Sequence, residues 1–345
     1  MKRIKKILGI ALAATLSLGM GACSQGTSKD NAKVSKKDGN LKIVATSDDY
    51  KKLFDKFTEE TGIKTEYLSM SSGEVISRIE AEGNKPMADF WFGGGVDAFM
   101  KAKDKGLLEQ CEFDGAEDIS SEFKDDDNYW FSKGLTVVGF IVNKDILQEK
   151  NLPEPKTWKD LSNPIYKDEI AMSNPAVSGT NYAVVNGILQ NMGNEEGWKY
   201  LSDLNKNIPF YDKRGADPWK KVVAGERAIG ITYLDTALEG MEKEKNVKLI
   251  YPEDGIPWMP DGVAVFKNAA NLENAKTFLQ WVYKDENLKQ IVELDKKGTL
   301  KLVKPNLQGV ELNIDNSKLL KEDLSLFGSQ RTEVLDKWNK LAGDK

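Results

Sequence analysis

Apolar residues at Tyr50, Leu53, Phe54 and Phe57 recur at the spacing of one helical face, directly after the short apolar run LKIVAT (41–46). This predicts a buried strand followed by an amphipathic helix, because residues three and four apart share a helix face while a short continuous run suits a covered strand. Ser47 is placed to cap the helix, Asp48 and Asp49 fill its first turn, and Gly62 ends it. The alternation repeats. IKTEYLSM (63–70) reads as strand, SSGEVISRIEAEGN (71–84) as helix, ADFWFGG (88–94) as strand, and DAFMKAKDKG (97–106) as helix closed by Gly106. Such alternation implies a mostly parallel sheet flanked by helices.

LTVVGFIVNKDIL (135–147) is a longer extended run with few polar residues. Beyond TWKDLSNP (157–164), the strand EIAMSNP (169–175) leads into a helix with Val185, Ile188, Leu189 and Met192 at helical spacing. The helical segment GWKYLSDLNKN (197–207) and then DPWKKVVAGERAIGITYLD (217–235) follow, the latter read as helix, turn and strand. VKLIYPEDGIPWMPDGVAVFKN (247–268) gives two extended segments around a Pro-rich bend, and 271–294 is helical, with Ala275, Phe278, Leu279 and Val282 on one face. The extended runs near 135–143 and 247–266 separate three blocks. The arrangement that accounts for this is two α/β lobes, 41–136 with 252–345 and 137–251, joined by the two runs as crossover hinge strands with a ligand cleft between.

Length agrees with two domains: 345 residues, 40% hydrophobic and 30% charged, describe an ordinary globular chain. The formal charge of −5 gives no support for nucleic-acid binding. Histidine is absent, which removes Ser-His-Asp and Cys-His nucleophile systems and the usual His-based zinc sites. Cys23 and Cys111, far apart and in different contexts, form neither a disulfide framework nor a Cys-rich metal site. No cofactor is expected.

The first 22 residues read as an export signal: basic MKRIKK, then apolar ILGIALAATLSLGM, then small residues before Cys23. Met20-Gly21-Ala22-Cys23 resembles a bacterial lipoprotein cleavage site, making Cys23 the lipidated N-terminus and 23–40 a polar tether; the alternative is plain secretion with Cys23 in the tail. Cleavage leaves 45 basic against 54 acidic residues, a mature charge of −9.

In open parallel sheets ligands sit beyond the carboxyl ends of the strands. The loops there offer Ser47, then Ser71, Ser72 and Gly73, then Gly93-Gly94-Gly95, then Ser178, Gly179 and Thr180, then Tyr233 and Asp235. Hydroxyls and backbone N–H groups at helix starts suit an anion. Ser71 and Glu74 also fit a capping box, in which Ser71 serves its own helix. GGGVDA fits G-x-G-x-x-A, but it follows the third strand, and no acid-ended second strand stands at the dinucleotide-site spacing. The corner at Ser178-Gly179-Thr180 opens a helix with no acid before Glu195, leaving its positive end without an internal counter-charge. Arg214, one of four arginines beyond the signal, is a loop candidate for a bidentate anion contact, and Asp235 and Asp261 for accepting hydrogen bonds from ligand hydroxyls or an amine.

ADFWFGGGVDAFMKAKDKGLLE, SNPAVSGTNYAVVNGILQNMG, VVAGERAIGITYLDTAL and DGVAVFKNAANLENAKTFLQWV resemble the substrate-binding proteins of ATP-driven importers, in the group holding ferric-ion, hexose-phosphate, phosphoglycerate and 2-aminoethylphosphonate binders. The resemblance runs from about Leu41 to Leu294. It implies a two-lobed type II periplasmic-binding-protein fold, no catalysis, delivery of a solute to a membrane permease, and a monomer held outside the cell membrane or in the periplasm. It also implies ligand contacts at Ser47, Ser72, Gly94, Ser178, Gly179 and Thr180. Ferric binders of the group use adjacent tyrosines; the ten tyrosines here include no adjacent pair, and Tyr211 and Tyr233 stand isolated. The leading expectation is therefore a binder of a small phosphorylated or phosphonate anion. A ferric-ion receptor and a secreted phosphate-ester hydrolase are the alternatives.

Overall fold

A computed structural model describes residues 39–299, 303–307, 312, 314–343 and 345, all within one compact unit, Lys36–Lys345. The signal, Cys23 and the tether up to residue 38 lie outside the described residues. No helix among the described residues is long and apolar enough to cross a membrane.

The described strands are β1 (Asn40–Ala45), β2 (Lys64–Ser69), β3 (Phe90–Gly95), β4 (Phe131–Asn143), β5 (Ile170–Ser173), β6 (Tyr211–Asp212), β7 (Ile229–Leu234), β8 (Val247–Ile250) and β9 (Trp258–Val265). They form one mixed sheet in the order β2-β1-β3-β9-β4-β7-β5-β6, with β8 beside β4. Each end is parallel: β1 with β2 and β3, and β5 with β6 and β7. The middle is antiparallel, because β4 and β9 are the expected crossover runs. β4 pairs with β9 from Phe131 to Val137, and with β7 from Val137 to Val142, so Val137 is where it leaves one half for the other. All thirteen residues of β4 are buried, which explains a near-continuous apolar run rather than an alternating one. The second run is broken between β8 and β9 at Pro252, Gly255 and Pro257, and Gly255 takes a left-handed φ of +121°.

Each half has its own core. In the first, β3 sends Phe90 and Phe92 to one face and Trp91 to the other, as the two-residue strand period requires. Phe54, Phe57, Phe278 and Trp281 cover the first face, with Phe57 edge-on to Phe278 at 4.8 Å; Trp91 stacks on Phe99 at 4.1 Å on the second. The second half packs Val138, Phe140, Val142 and Ile231 against Tyr182, Val185, Ile188 and Leu201. Its central helix, Gly179–Met192, is buried on every side up to Leu189 rather than along one stripe. The C-terminal helix Arg331–Ala342 joins this second core through Leu335 and Trp338, although it lies within the 252–345 stretch.

Candidate functional site

The carboxyl ends of β1, β2 and β3 face the start of the Gly179–Met192 helix across a cleft of about 540 Å³, an ordinary volume for a small-molecule site. Its floor is made by Thr136 of β4, Met259 and Asp261 of β9, and Leu294 to Lys297, where the helix Asp285–Asp295 ends. Of the candidate residues, Ser47, Ser71, Ser72, Gly94, Gly95, Ser178, Gly179, Thr180, Arg214, Tyr233, Asp235 and Asp261 all line it. Gly93 does not. Its φ of +87° turns the strand end, and a Cβ there would lie 2.6 Å from Thr46 Oγ1, so it shapes the wall from behind.

The halves touch where glycines leave room. A Cβ on Gly179 would stand 3.0 Å from Gly95 N and 3.1 Å from Ser72 Oγ; one on Gly94, whose φ is +115°, would stand 2.8 Å from Ser72 Cβ. Gly73 N–H donates to Val177 O across the same junction at 3.2 Å. Two helix starts therefore converge on the cleft, and they differ in charge. The helix Ser72–Ala81 carries its own acid: Ser71 N–H donates to Glu74 Oε2 at 2.8 Å, and Ser71 Oγ accepts from Glu74 N–H at 3.4 Å. Partial burial pushes the Glu74 carboxyl up, but Ser71, Arg214 and Lys213 together hold it below its ordinary value. The Gly179 helix has Ser178 as its N-cap and no acid in its first turn. Its backbone bonding begins only at Tyr182 N–H to Ser178 O, 2.9 Å, which leaves the N–H groups of Gly179 and Thr180 ahead of the ladder.

Loop 214–216 is pinned from below by Ser173 Oγ to Arg214 O, 2.5 Å, and Thr232 Oγ1 to Gly215 O, 2.8 Å. Held there, Arg214 spans the cleft: its Nη1 donates to Ser69 Oγ at 3.2 Å, at the end of β2. At the other end, Asp235 caps the helix Thr236–Glu244 by accepting from Leu238 N–H at 2.7 Å, and burial pushes its carboxyl up to about 6. Tyr233 accepts from Trp219 Nε1 at 3.2 Å, and burial pushes its phenol up to about 12. Asp235, Asp49 and Asp295 all act electrostatically on Tyr233, so this end is acidic.

Asp261 is already engaged. Its Oδ1 accepts from Gly94 N–H at 2.5 Å, and its Oδ2 from Lys133 at 2.7 Å and from Lys297. Burial alone would raise this carboxyl, but the two lysines hold it well below its ordinary value. Lys133 also reaches Asp295 and Tyr50 OH. Sequence reasoning missed this network. Its one local signal was a lysine inside the buried FSKGLTVVG run of β4. Trp91 and Trp258 take no part in the cleft: Trp91 stacks in the core, and Trp258 Nε1 donates to Leu320 O at 2.8 Å on the far side of β9. A larger hollow of about 1100 Å³ opens on that far side, beside Leu135 and Trp258, but none of the candidate residues lines it.

Among the described residues no group of three His, Cys, Asp or Glu side chains is placed to hold a metal ion. The tyrosines of the cleft are poorly suited to one as well. Tyr50 OH donates to Asp295 and accepts from Lys133, and Tyr233 is pushed away from ionisation.

Residues 85–306 match the family described as bacterial extracellular solute-binding protein. An uncharacterized protein of Haemophilus influenzae is 30% identical over 291 residues, covering 82% of this chain and 84% of that protein. A putative 2-aminoethylphosphonate-binding periplasmic protein of Salmonella paratyphi A is 26% identical, covering 71% and 72%. Among solved structures, the periplasmic binding protein AfuA from Actinobacillus pleuropneumoniae, with fructose-6-phosphate bound, superposes with a TM-score of 0.81 at 27% identity, covering 89% of this chain and 99% of that one. The fold is that of type II periplasmic binding proteins.

Proposed function

The chain belongs to the bacterial extracellular solute-binding proteins, which serve ABC importers as binders and not as enzymes, and we propose that its solute is a small phosphorylated or phosphonate compound. One observation carries this reading: the Gly179 helix start, without an acid of its own, opens into the cleft beside Ser72, Thr180 and Arg214. Unpaired N–H groups and the helix dipole stabilise an anion there, and a guanidinium adds a charge-assisted contact. Asp235 and Asp49 at the other end suit hydroxyls or an amine on the same molecule, whereas both Asp295 oxygens are taken up by Tyr50 and Lys133. The fructose-6-phosphate of AfuA and the 2-aminoethylphosphonate of the Salmonella protein both have that polarity, an anionic group at one end and hydrogen-bond donors at the other.

Capture is closure of the two lobes, 41–136 with most of 252–345 against 137–251, the helix Arg331–Ala342 moving with the second. Lipidation at Cys23 tethers the protein to the outer face of the membrane, within reach of the permease.

A thermal-shift screen of the mature chain against fructose 6-phosphate, 3-phosphoglycerate, 2-aminoethylphosphonate and Fe³⁺ tests the solute class. At a thousandfold excess over Kd a ligand adds about 4 kcal/mol, a rise in Tm of about 6 °C for a chain of this size. A shift with Fe³⁺ alone, with a visible tyrosinate absorption band, overturns the reading in favour of a ferric receptor. Turnover of a bound phosphate ester overturns it in favour of a hydrolase.

A further inference from the structure

Lys133 is fully buried, and every hydrogen of its ammonium is used: Asp261 Oδ2 at 2.7 Å, Asp295 Oδ2 at 2.5 Å and Tyr50 OH at 3.0 Å. The rings of Tyr50 and Phe92 lie 5.0 and 5.4 Å from it. Removing an ammonium from water costs several kcal/mol, and an apolar side chain would fill the space in β4 without that cost. What the charge does therefore shows in its partners. Asp261, Asp295 and Tyr50 all line the cleft, whereas Lys133 itself stands behind them.

Asp295 is the last residue of the helix Asp285–Asp295, where the dipole disfavours a carboxylate. Asp261 holds the Gly94 amide, and with it the left-handed strand end that lets Gly179 approach. Lys297 reaches Asp261 and Thr136 Oγ1. Asp261 and Asp295 thus meet Lys133 and Lys297 in one hydrogen-bonded floor network that carries no net charge, while the neighbouring Lys296 is exposed to solvent. Without Lys133 the network would carry one excess negative charge under an anionic ligand.

We propose that Lys133 is a positioning and specificity-determining residue: it neutralises the cleft floor so that Asp261 stays ionised on the Gly94 amide without repelling an anionic solute. This rests on the solute class proposed above. It separates the role of Lys133 from packing, because the sign of each charge change matters. Lys133→Met adds negative charge to the floor, and Asp295→Asn removes it.

The test is calorimetric titration of the mature protein with fructose 6-phosphate and 2-aminoethylphosphonate at pH 7.5. Lys133→Met weakens binding roughly tenfold or more, whereas Asp295→Asn leaves it unchanged or tightens it; the charge-balanced double variant returns most of the loss. At pH 5.5 the loss in Lys133→Met shrinks relative to the parent, because the unbalanced floor takes up a proton. The groups facing that position are Tyr50 from the turn after β1, Asp261 from β9, Asp295 and Lys297 from the end of the Asp285 helix, and Tyr283, which donates to Ser132 O. Should neither compound bind the parent protein, the solute class falls and this inference with it. Should the parent bind while Lys133→Met and Asp295→Asn weaken affinity alike, with no recovery in the double variant, Lys133 is a packing residue and the inference alone falls.

Discussion

The two helices that begin at the cleft start from nearly the same local chemistry, Ser-Ser-Gly at 71–73 and Ser-Gly-Thr at 178–180, yet they end in opposite electrostatic states. The first brings Glu74 back onto its own N-terminus in a capping box. The second has a serine cap and no acid, although its helix is longer and buried almost throughout. Capping hydroxyls stabilise both ends, but only an anion completes the second. A helix buried this deeply depends little on N-terminal optimisation, since packing rather than capping supplies most of its stability. The fold can therefore leave the dipole uncompensated and assign it to the solute.

The largest effect is expected when the second helix start is made like the first. Thr180→Asp places a carboxylate in the first turn of the Gly179 helix. A charge about 4 Å from a bound anion is worth several kcal/mol at a cleft wall, so affinity for a phosphorylated or phosphonate solute falls by at least about a hundredfold. The ligand-free protein should instead gain about 0.3–1 kcal/mol, because the helix now carries its own counter-charge. Titration for affinity and urea unfolding for stability read the two effects separately. Affinity retained within about threefold would show that the anion is not held at this end.

This contrast was legible in the chain because it is local. The lack of acid before Glu195 and the Ser71–Glu74 spacing both lie within a few residues of their helix. The strand–helix alternation and the two crossover runs were legible for the same reason: periods of two and of three to four are written in neighbouring residues. What escaped is non-local. Tyr50, Lys133, Asp261, Asp295 and Lys297 meet only because β4, β9 and the Asp285 helix are brought together, and no spacing links positions up to 245 residues apart. Tyr50 fitted its helical stripe as a packing residue and is indeed in the core, yet its hydroxyl belongs to the cleft floor. Gly93 failed at a finer scale, since adjacent glycines at a strand end need not face the same space.

The acidic end gives a smaller effect that sharpens the assignment of ends. Asp235 is pushed up to about 6 by burial, above the ordinary carboxyl value of 3.8. The native state therefore binds this proton more tightly than the unfolded chain. Its contribution to stability is complete below about pH 4 and is lost as pH rises through about 6. Ligand donors at this end favour the ionised form, so acidification from pH 7 to pH 5 should cost affinity, by no more than about tenfold per pH unit. The phosphate titrates in the same range, so the informative quantity is the difference from Asp235→Asn, which still caps its helix but does not titrate. A parent that loses affinity more steeply than the variant supports donors at Asp235; one that gains on acidification would move the anion to that end.

The smallest effect concerns Ser71, a candidate contact from its place in the loop after β2, which also lines the cleft. Its hydroxyl is committed inward: it donates to Glu74 Oε2 at 2.8 Å and accepts from Glu74 N–H. Ser71→Ala should accordingly cost about 1 kcal/mol of stability, as the loss of an N-cap does, while affinity for the solute stays within about twofold. Ser178→Ala is its counterpart, because there the hydroxyl stands beside the uncompensated end, and the loss should appear in affinity as well as in unfolding. Equal losses of affinity from both substitutions would mean that the solute draws on both helix starts, and that Glu74 turns aside when it arrives.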